Sequence, residues 1–301
     1  MVTSVTLPNN DVLFLSELTV SSYKEILKSI YEDDGDVSDV KGFLNNLSYI
    51  LSKHTSKPPN YFLQDISILD LFYLVIESRI QSLGNEVSLS VTKLSTNKRS
   101  TLSFNLDRTK LEIKSFNKKF LDTNIEGSGF NLSFGIPNAE KLLEHTDNEY
   151  LYFLKKFSII KNNKNSISNV FDIKSAELIL NKISVKKTNE FITKFEEFVE
   201  ENQKIDFLKN YKVNETLRLV LSSEYLLWFT KLIFNEPLDV FYNNLFYLSK
   251  SANMSPSYIE QCSPGEYIYF VKKLQSIIEQ ESPSQENTNL DVISNNAVYD
   301  F

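Results

Sequence analysis

The sequence predicts an α+β protein, predominantly helical, in which a helical core carries a small antiparallel β insert. Three observations predict it. Glycine and proline are scarce, 7 and 8 of 301 residues, which suits helices because neither is well tolerated in a helix interior. Apolar residues recur at helical spacing before residue 84 and again from 138 to 280. Between 85 and 137 the period drops to two, as in strands with one wet face.

Taken in order, "VTLPNNDVLFLSEL" reads as two extended segments around a Pro8-Asn9-Asn10-Asp11 turn. Thr19 or Ser21 can cap a first helix, whose buried face is Tyr23, Ile26, Leu27, Ile30 and Tyr31. The acidic connector "YEDDGDVSD" breaks the pattern, and Phe43, Leu44, Leu47, Ile50 and Leu51 form a second stripe. "KPP" at 57–59 ends that region. Ser67, with Asp70 three residues on, begins a third helix that stops at Gly84. Alternation then runs through Val87, Leu89 and Val91, through Leu102, Phe104 and Leu106, through Leu111 and Ile113, and through Phe130, Leu132, Phe134 and Ile136. Beyond Pro137 the spacing is helical: Ala176, Ile179, Leu180 and Ile183, then Phe191, Ile192, Phe195, Phe198 and Val199. "ETLRLVL" at 215–221 reads as one more strand, and two strongly apolar helices precede a last helix near Ser263. The expected organisation is 1–84, an N-terminal strand, turn and helical part; 85–137, the β insert; 138–280, a helical C-terminal part; and 281–301, a polar, mobile tail.

Composition excludes several function classes. Hydrophobic residues at 42% and aromatics at 13% support a sizeable core rather than a disordered chain. A net charge of −7 argues against a phosphate-driven nucleic-acid binder. A single cysteine and two histidines, His54 and His145, leave no disulfide framework and no Cys/His zinc cluster. Neither a leader nor a membrane span is legible, so a cytoplasmic protein is expected, and the sequons at Asn46, Asn131 and Asn214 carry little weight.

Cys262 precedes Ser263-Pro264-Gly265-Glu266. Ser263 and Glu266 have the spacing of a capping box, Pro264 fits the first helical position, and Cys262 pairs with Tyr267 as a hydrophobic staple. The competing reading, a catalytic thiolate, needs a base and a lowered pKa; no histidine is near in sequence, and Glu266 opposes the anion. The acidic loop lacks the glutamate of a calcium loop, since position 41 is Lys41. Gly127 and Gly129 fit a hairpin turn better than a phosphate loop. The two histidines, in polar surroundings, are expected at the surface. Lysines at 156–164 and 186–187 read as helix-end or solvated groups rather than an RNA site. Trp228 reads first as core and second as a groove contact for a partner helix. The tail ends in Val298, Tyr299 and Phe301, so Trp228, Tyr299 and Phe301 are the candidate partner contacts.

Three stretches together carry a resemblance. "LPNNDVLFLSELTVSSYKEILKSI" (7–30), "LDLFYLVIESRIQSLGNEV" (69–87) and "FYNNLFYLSKSANMSPSYIEQCSPGEYIYFVKKL" (241–274) resemble a baseplate hub assembly or structural protein family of T-even-type contractile-tailed bacteriophages. Arg79, Ser82 and Gly84 match its Arg-x-x-Ser-x-Gly helix end, and the order helices, β insert, helices agrees. The resemblance implies a non-enzymatic protein that helps to build the central hub of the tail baseplate. Its partners would be other baseplate or tail proteins, with self-association open and no cofactor, metal, nucleic acid or membrane span. It would sit in the host cytoplasm during assembly and, if a structural subunit rather than an assembly factor, in the virion tail baseplate. The residues carried over are structural: Arg79 pairing an acidic group, Gly84 ending a helix and Glu266 capping one. The alternative class is an uncharacterised cytoplasmic enzyme or small-ligand protein with a carboxylate-based site, which would need convergent polar groups in a pocket.

Overall fold

The computed structural model describes residues 2–31, 39–93, 98–119, 124–127, 130–144, 150–161, 164–169, 172–181, 183–202, 222–281 and 298–299. Strands β1 (Val2–Thr6) and β2 (Val12–Ser16) pair antiparallel, Val2 opposite Ser16 and Thr6 opposite Val12. Their turn places Asn10 at φ 72°, a left-handed conformation that asparagine tolerates. The Asn9 amide donates to Asp70 Oδ1 at 3.0 Å, so the turn rests on the start of a later helix.

Helix α1 (Val20–Tyr31) is capped by Thr19, whose Oγ1 accepts from the Ser22 amide. Helix α2 (Val40–His54) is capped by Asp39. Helix α3 (Ile68–Leu83) opens with a reciprocal Ser67–Asp70 capping box and ends at Gly84, φ 86°. Every residue from Ile68 to Ile76 is buried. A helical stretch buried on all sides must be surrounded, and this first half of α3 is enclosed by its neighbours.

Strands β3 (Glu86–Lys93) and β4 (Lys98–Asn105) form an antiparallel pair. Residues Leu111 and Ile113, expected in a strand, lie instead in helix α4 (Leu106–Lys119). Two apolar residues two apart fit either period; the buried set is Leu106, Thr109 and Ile113, one helix face, and Leu111 is exposed. Strands β5 (Asn124–Gly127) and β6 (Phe130–Phe134) form the hairpin expected around Gly127. Strand formation does not stop at 137. After a short helix α5 (Tyr150–Phe153), strands β7 (Leu154–Lys161) and β8 (Lys164–Asn169) complete a four-stranded antiparallel sheet ordered β5-β6-β7-β8. The lysine-rich stretch is thus a strand hairpin rather than helix ends.

Helices α6 (Ile173–Leu180), α7 (Val185–Asn202), α8 (Ser223–Ile233), α9 (Leu238–Ser251), α10 (Pro256–Gln261) and α11 (Pro264–Glu281) follow. Strand β9 (Val298–Tyr299) runs parallel to β3, Ser90 opposite Val298. The expected strand at 215–221, most of the acidic connector, His145 and Phe301 lie outside the described residues.

The α+β, predominantly helical class holds. The main core joins the β1–β2 ribbon, α1 to α3, the base of β3 and β4, α4 and helices α8 to α11. A smaller core comprises Leu151, Phe153, Leu154, Ile173, Ala176, Leu180 and Ile183. Lys141 links the two, its Nζ donating to the Leu154 carbonyl at 2.7 Å; burial pushes this amine down to about 8. The main core is therefore built from both ends of the sequence, with 150–192 contributing the smaller one.

His54 is buried, not at the surface. Its Nε2 lies 2.8 Å from Ser22 Oγ and its Nδ1 3.1 Å from Ser16 Oγ, joining α2 to α1 and β2. Burial, reinforced by Lys53, lowers its pKa from the ordinary 6.5 despite a backbone bond at Glu17. The unfolded chain then binds the proton more readily, so this stability is present above about pH 6.5 and is lost as pH falls through the folded pKa. His54→Gln is expected to flatten the loss of thermal stability on mild acidification; an unchanged acid profile would contradict this.

Candidate interaction surface

Ser82, Cys262, Ser263 and Glu266, singled out in the sequence, meet where the end of α3 lies against the starts of α1 and α11. Ser82, at the end of α3, accepts the Leu18 amide at 3.0 Å. The Cys262 carbonyl accepts the Val20 amide at 2.8 Å, capping the first turn of α1. The start of α11 lies against the end of α3: a Cβ on Gly265 would stand 3.2 Å from the Ser82 carbonyl. Ser263 and Glu266 form a reciprocal cap, with 2.9 Å from the Ser263 amide to Glu266 and 3.3 Å from the Glu266 amide to Ser263. The beginnings of α1 and α11 and the end of α3 are thereby held together by backbone groups that would otherwise be orphaned.

Arg79 is buried and directed at carbonyls rather than an acid. Its Nε donates to Ile233 at 2.8 Å, Nη1 to Gly84 at 2.7 Å and Nη2 to Glu86 at 3.4 Å. Burial pushes its pKa down to about 10, so it remains a cation at neutral pH. The planar fork suits three divergent carbonyls at a helix end, where the macrodipole favours positive charge. It clamps the end of α8 to the α3–β3 connection.

The principal polar group of the core is assembled from residues far apart in the sequence. Glu236, 7% exposed, lies between α8 and α9. Its carboxylate accepts from Tyr23 at 2.9 Å, Tyr267 at 3.0 Å and Asn244 at 3.2 Å. Phe241 lies between the two tyrosines, edge-on to Tyr23 at 5.7 Å and tilted against Tyr267 at 5.3 Å. Burial raises the Glu236 pKa above the ordinary 4.5, opposed by its three hydrogen bonds. The same burial and the neighbouring carboxylate hold both tyrosines protonated as donors. The only sequence signal is an acid set in "LIFNEPLDVF", because its donors stand 213, 31 and 8 residues away. These polar groups converge as a carboxylate-based site would, but they are enclosed by aromatic rings.

Elsewhere the chemistry is sparse. Cys262 is buried in the main core, its thiol 3.3 Å from the Tyr258 carbonyl. Burial, then Glu266, pushes the thiol pKa up, opposite to what activates a nucleophile. A cleft between α9 and α11, lined by Tyr247, Leu248, Val271, Leu274 and Ile278 among others, has about 80 Å³, small beside the roughly 300–1,000 Å³ of ligand pockets. Among the described residues no group of three His, Cys, Asp or Glu is arranged to hold a metal, and no helix is long and apolar enough to cross a membrane.

The surface is more informative. Val2, Val12 and Phe14 are exposed on one face of the ribbon, and Tyr242 and Phe246 on α9 and Tyr269 on α11 are exposed on the helical side. Trp228 is half-buried against the main core, its ring 5.1 Å from Tyr225. The backbone of Tyr299 lies in β9 beside β3.

Glu236→Ala leaves three donors without their acceptor and is expected to cost about 3 kcal/mol in urea unfolding. Because folding raises the Glu236 pKa, its contribution is fullest below about pH 4.5 and is lost as pH rises through the folded value. The stability of Glu236→Gln relative to the native chain should therefore improve as pH rises. Parallel profiles would contradict a buried, titrating carboxylate.

No curated protein and no solved structure matches the chain. Residues 1–219 match the family described as T4 bacteriophage base plate protein. That span contains two of the three stretches quoted above and ends before α8; the third, 241–274, lies beyond it. The match takes in β1 to α7, including Tyr23, Arg79 and Ser82, and covers well over half of the sequence. The chain belongs to the T4 bacteriophage base plate protein family.

Proposed function

We propose that the chain serves the central hub of the tail baseplate, as a structural subunit or assembly factor, without catalysis of its own. The observation that carries this reading is the family match over residues 1–219. Two features of the fold support it. The convergent polar groups around Glu236 are sealed in the core, where they can hold helices together but offer no entry to a substrate. The exposed groups are aromatic and aliphatic side chains, Phe14, Phe246 and Tyr269 among them, of the types that anchor protein interfaces. Its partners are then other baseplate or tail proteins, met in the host cytoplasm while the hub is built.

Quantitative mass spectrometry of purified phage particles beside an infected-cell lysate tests this. A fixed stoichiometry with baseplate proteins in the particle is expected for a subunit. Enrichment with tail intermediates in the lysate alone is expected for an assembly factor. Absence from tail assemblies in both samples would overturn the proposal.

A further inference from the structure

The β1–β2 ribbon has an edge built for pairing. The two strands, "VTSVT" and "VLFLS", contain no charged residue and no proline, although the chain as a whole carries −7. Exposed edge strands are ordinarily blunted with charge, proline, a bulge or a covering element. Here the ribbon is a sheet of two strands, and its register runs without a break. Strand β2 is the inner strand: it packs on α3, and Ser16 bonds His54. Strand β1 is the outer one.

The phase of the ladder decides which groups face outward. The Leu7 amide donates to the Asp11 carbonyl at 2.8 Å. In an antiparallel pair the bonded positions alternate, so residues 3, 5 and 7 bond to β2, and the amides and carbonyls of Val2, Ser4 and Thr6 point away from it. None of these groups has a partner among the described residues. The same three residues carry their side chains on the outer face, beside Val12 and Phe14, while Val5, Leu13 and Leu15 point into the core. Val2 is 65% exposed, Val12 55% and Phe14 60%.

We infer that β1 is a self-association edge, pairing antiparallel with β1 of a second copy across a two-fold axis at Ser4 to form a continuous β2-β1-β1-β2 sheet. The outward groups lie symmetrically about Ser4, so Val2 meets the partner's Thr6, Ser4 meets its own copy and Thr6 meets the partner's Val2, with every outward amide and carbonyl engaged. A two-fold pairing sets each residue against a residue of the same strand, so charge on β1 would face like charge; there is none. The net charge of −7 opposes the approach of two copies in general, and the uncharged ribbon adds no repulsion at the contact itself. A five-residue strand pair is smaller than a standard interface of roughly 1,200–2,000 Å², so the association is concentration-dependent. It follows from the ribbon alone, whatever the place of the chain in the baseplate.

Sedimentation equilibrium of the full chain across the micromolar range tests the pairing, together with three variants at exposed side chains. The native chain is expected to form dimers. Ser4→Lys, which opposes two ammonium groups at the axis, is expected to weaken the dimer at least about 10-fold while leaving the circular dichroism and Tm of the monomer unchanged. Oxidised Ser4→Cys is expected to cross-link the dimer, whereas Thr6→Cys, offset from its own copy, is not. A native chain that stays monomeric throughout, a dimer indifferent to Ser4→Lys, or cross-linking at Thr6→Cys rather than Ser4→Cys would each overturn the inference. So would a monomer whose Ser4→Lys variant loses another tail protein, since the edge would then belong to a strand of that partner.

Discussion

The fold depends on a buried carboxylate. Glu236 draws together Tyr23 of α1, Tyr267 of α11 and Asn244 of α9, and the rings of Tyr23, Phe241 and Tyr267 close over it. A carboxylate so placed has lost its hydration, and burying it without partners would be prohibitive. Three donors offset that cost only in one arrangement of the helices. Arg79 adds a second polar tie a short distance away, fixing the end of α8 by the Ile233 carbonyl. The apolar contacts supply most of the stabilisation, since burying one Leu or Phe side chain contributes about 1.5–3 kcal/mol. They are nondirectional, and the polar ties decide which packing is adopted.

These ties cross the end of the family match. Tyr23 and Arg79 lie within residues 1–219, whereas Glu236, Tyr267, the Ile233 carbonyl and the Cys262 carbonyl lie beyond them. The matched part alone would expose the buried faces of α1 and α3 and leave the Val20 amide and the Arg79 guanidinium short of acceptors. Helices α8 to α11 are therefore no appendage; they complete the core that the matched part begins. Glu236 and Arg79 spend their polar groups on this closure, while Phe14, Phe246 and Tyr269 are among the large apolar side chains left exposed.

Local signals in the sequence were reliable where the structure they specify is local. The Ser67–Asp70 and Ser263–Glu266 caps and Gly84 at the end of α3 are legible because all their atoms lie within a few residues. The stripes of α1 and α2 are legible because a helix repeats its buried face. Ambiguity arose where the stretch was short: Leu111 and Ile113 fit a strand as well as a helix, and in "KKFSIIKNNK" the alternation of Phe157 and Ile159 is hidden by Ile160 and the lysines. The tertiary polar groups were not legible. His54 sits in "SKHTSK", polar in sequence, and is buried by α1 and β2 from 32 and 38 residues away. Arg79 was expected to meet an acid, yet the structure gives it carbonyls, a partner that no residue type announces.

Truncation tests the shared core most directly. Residues 1–221 retain the whole family match and lose α8 to α11. The purified fragment and the full chain would be compared by urea unfolding and by amide hydrogen exchange in α1 and α3. A shared core predicts that the fragment loses cooperative unfolding and the protection of α1 and α3, and that adding 222–301 as a separate chain restores part of both. A fragment that unfolds with the midpoint and cooperativity of the full chain would show that the matched part closes its own core, and the clasp at Glu236 would then not be what holds the fold.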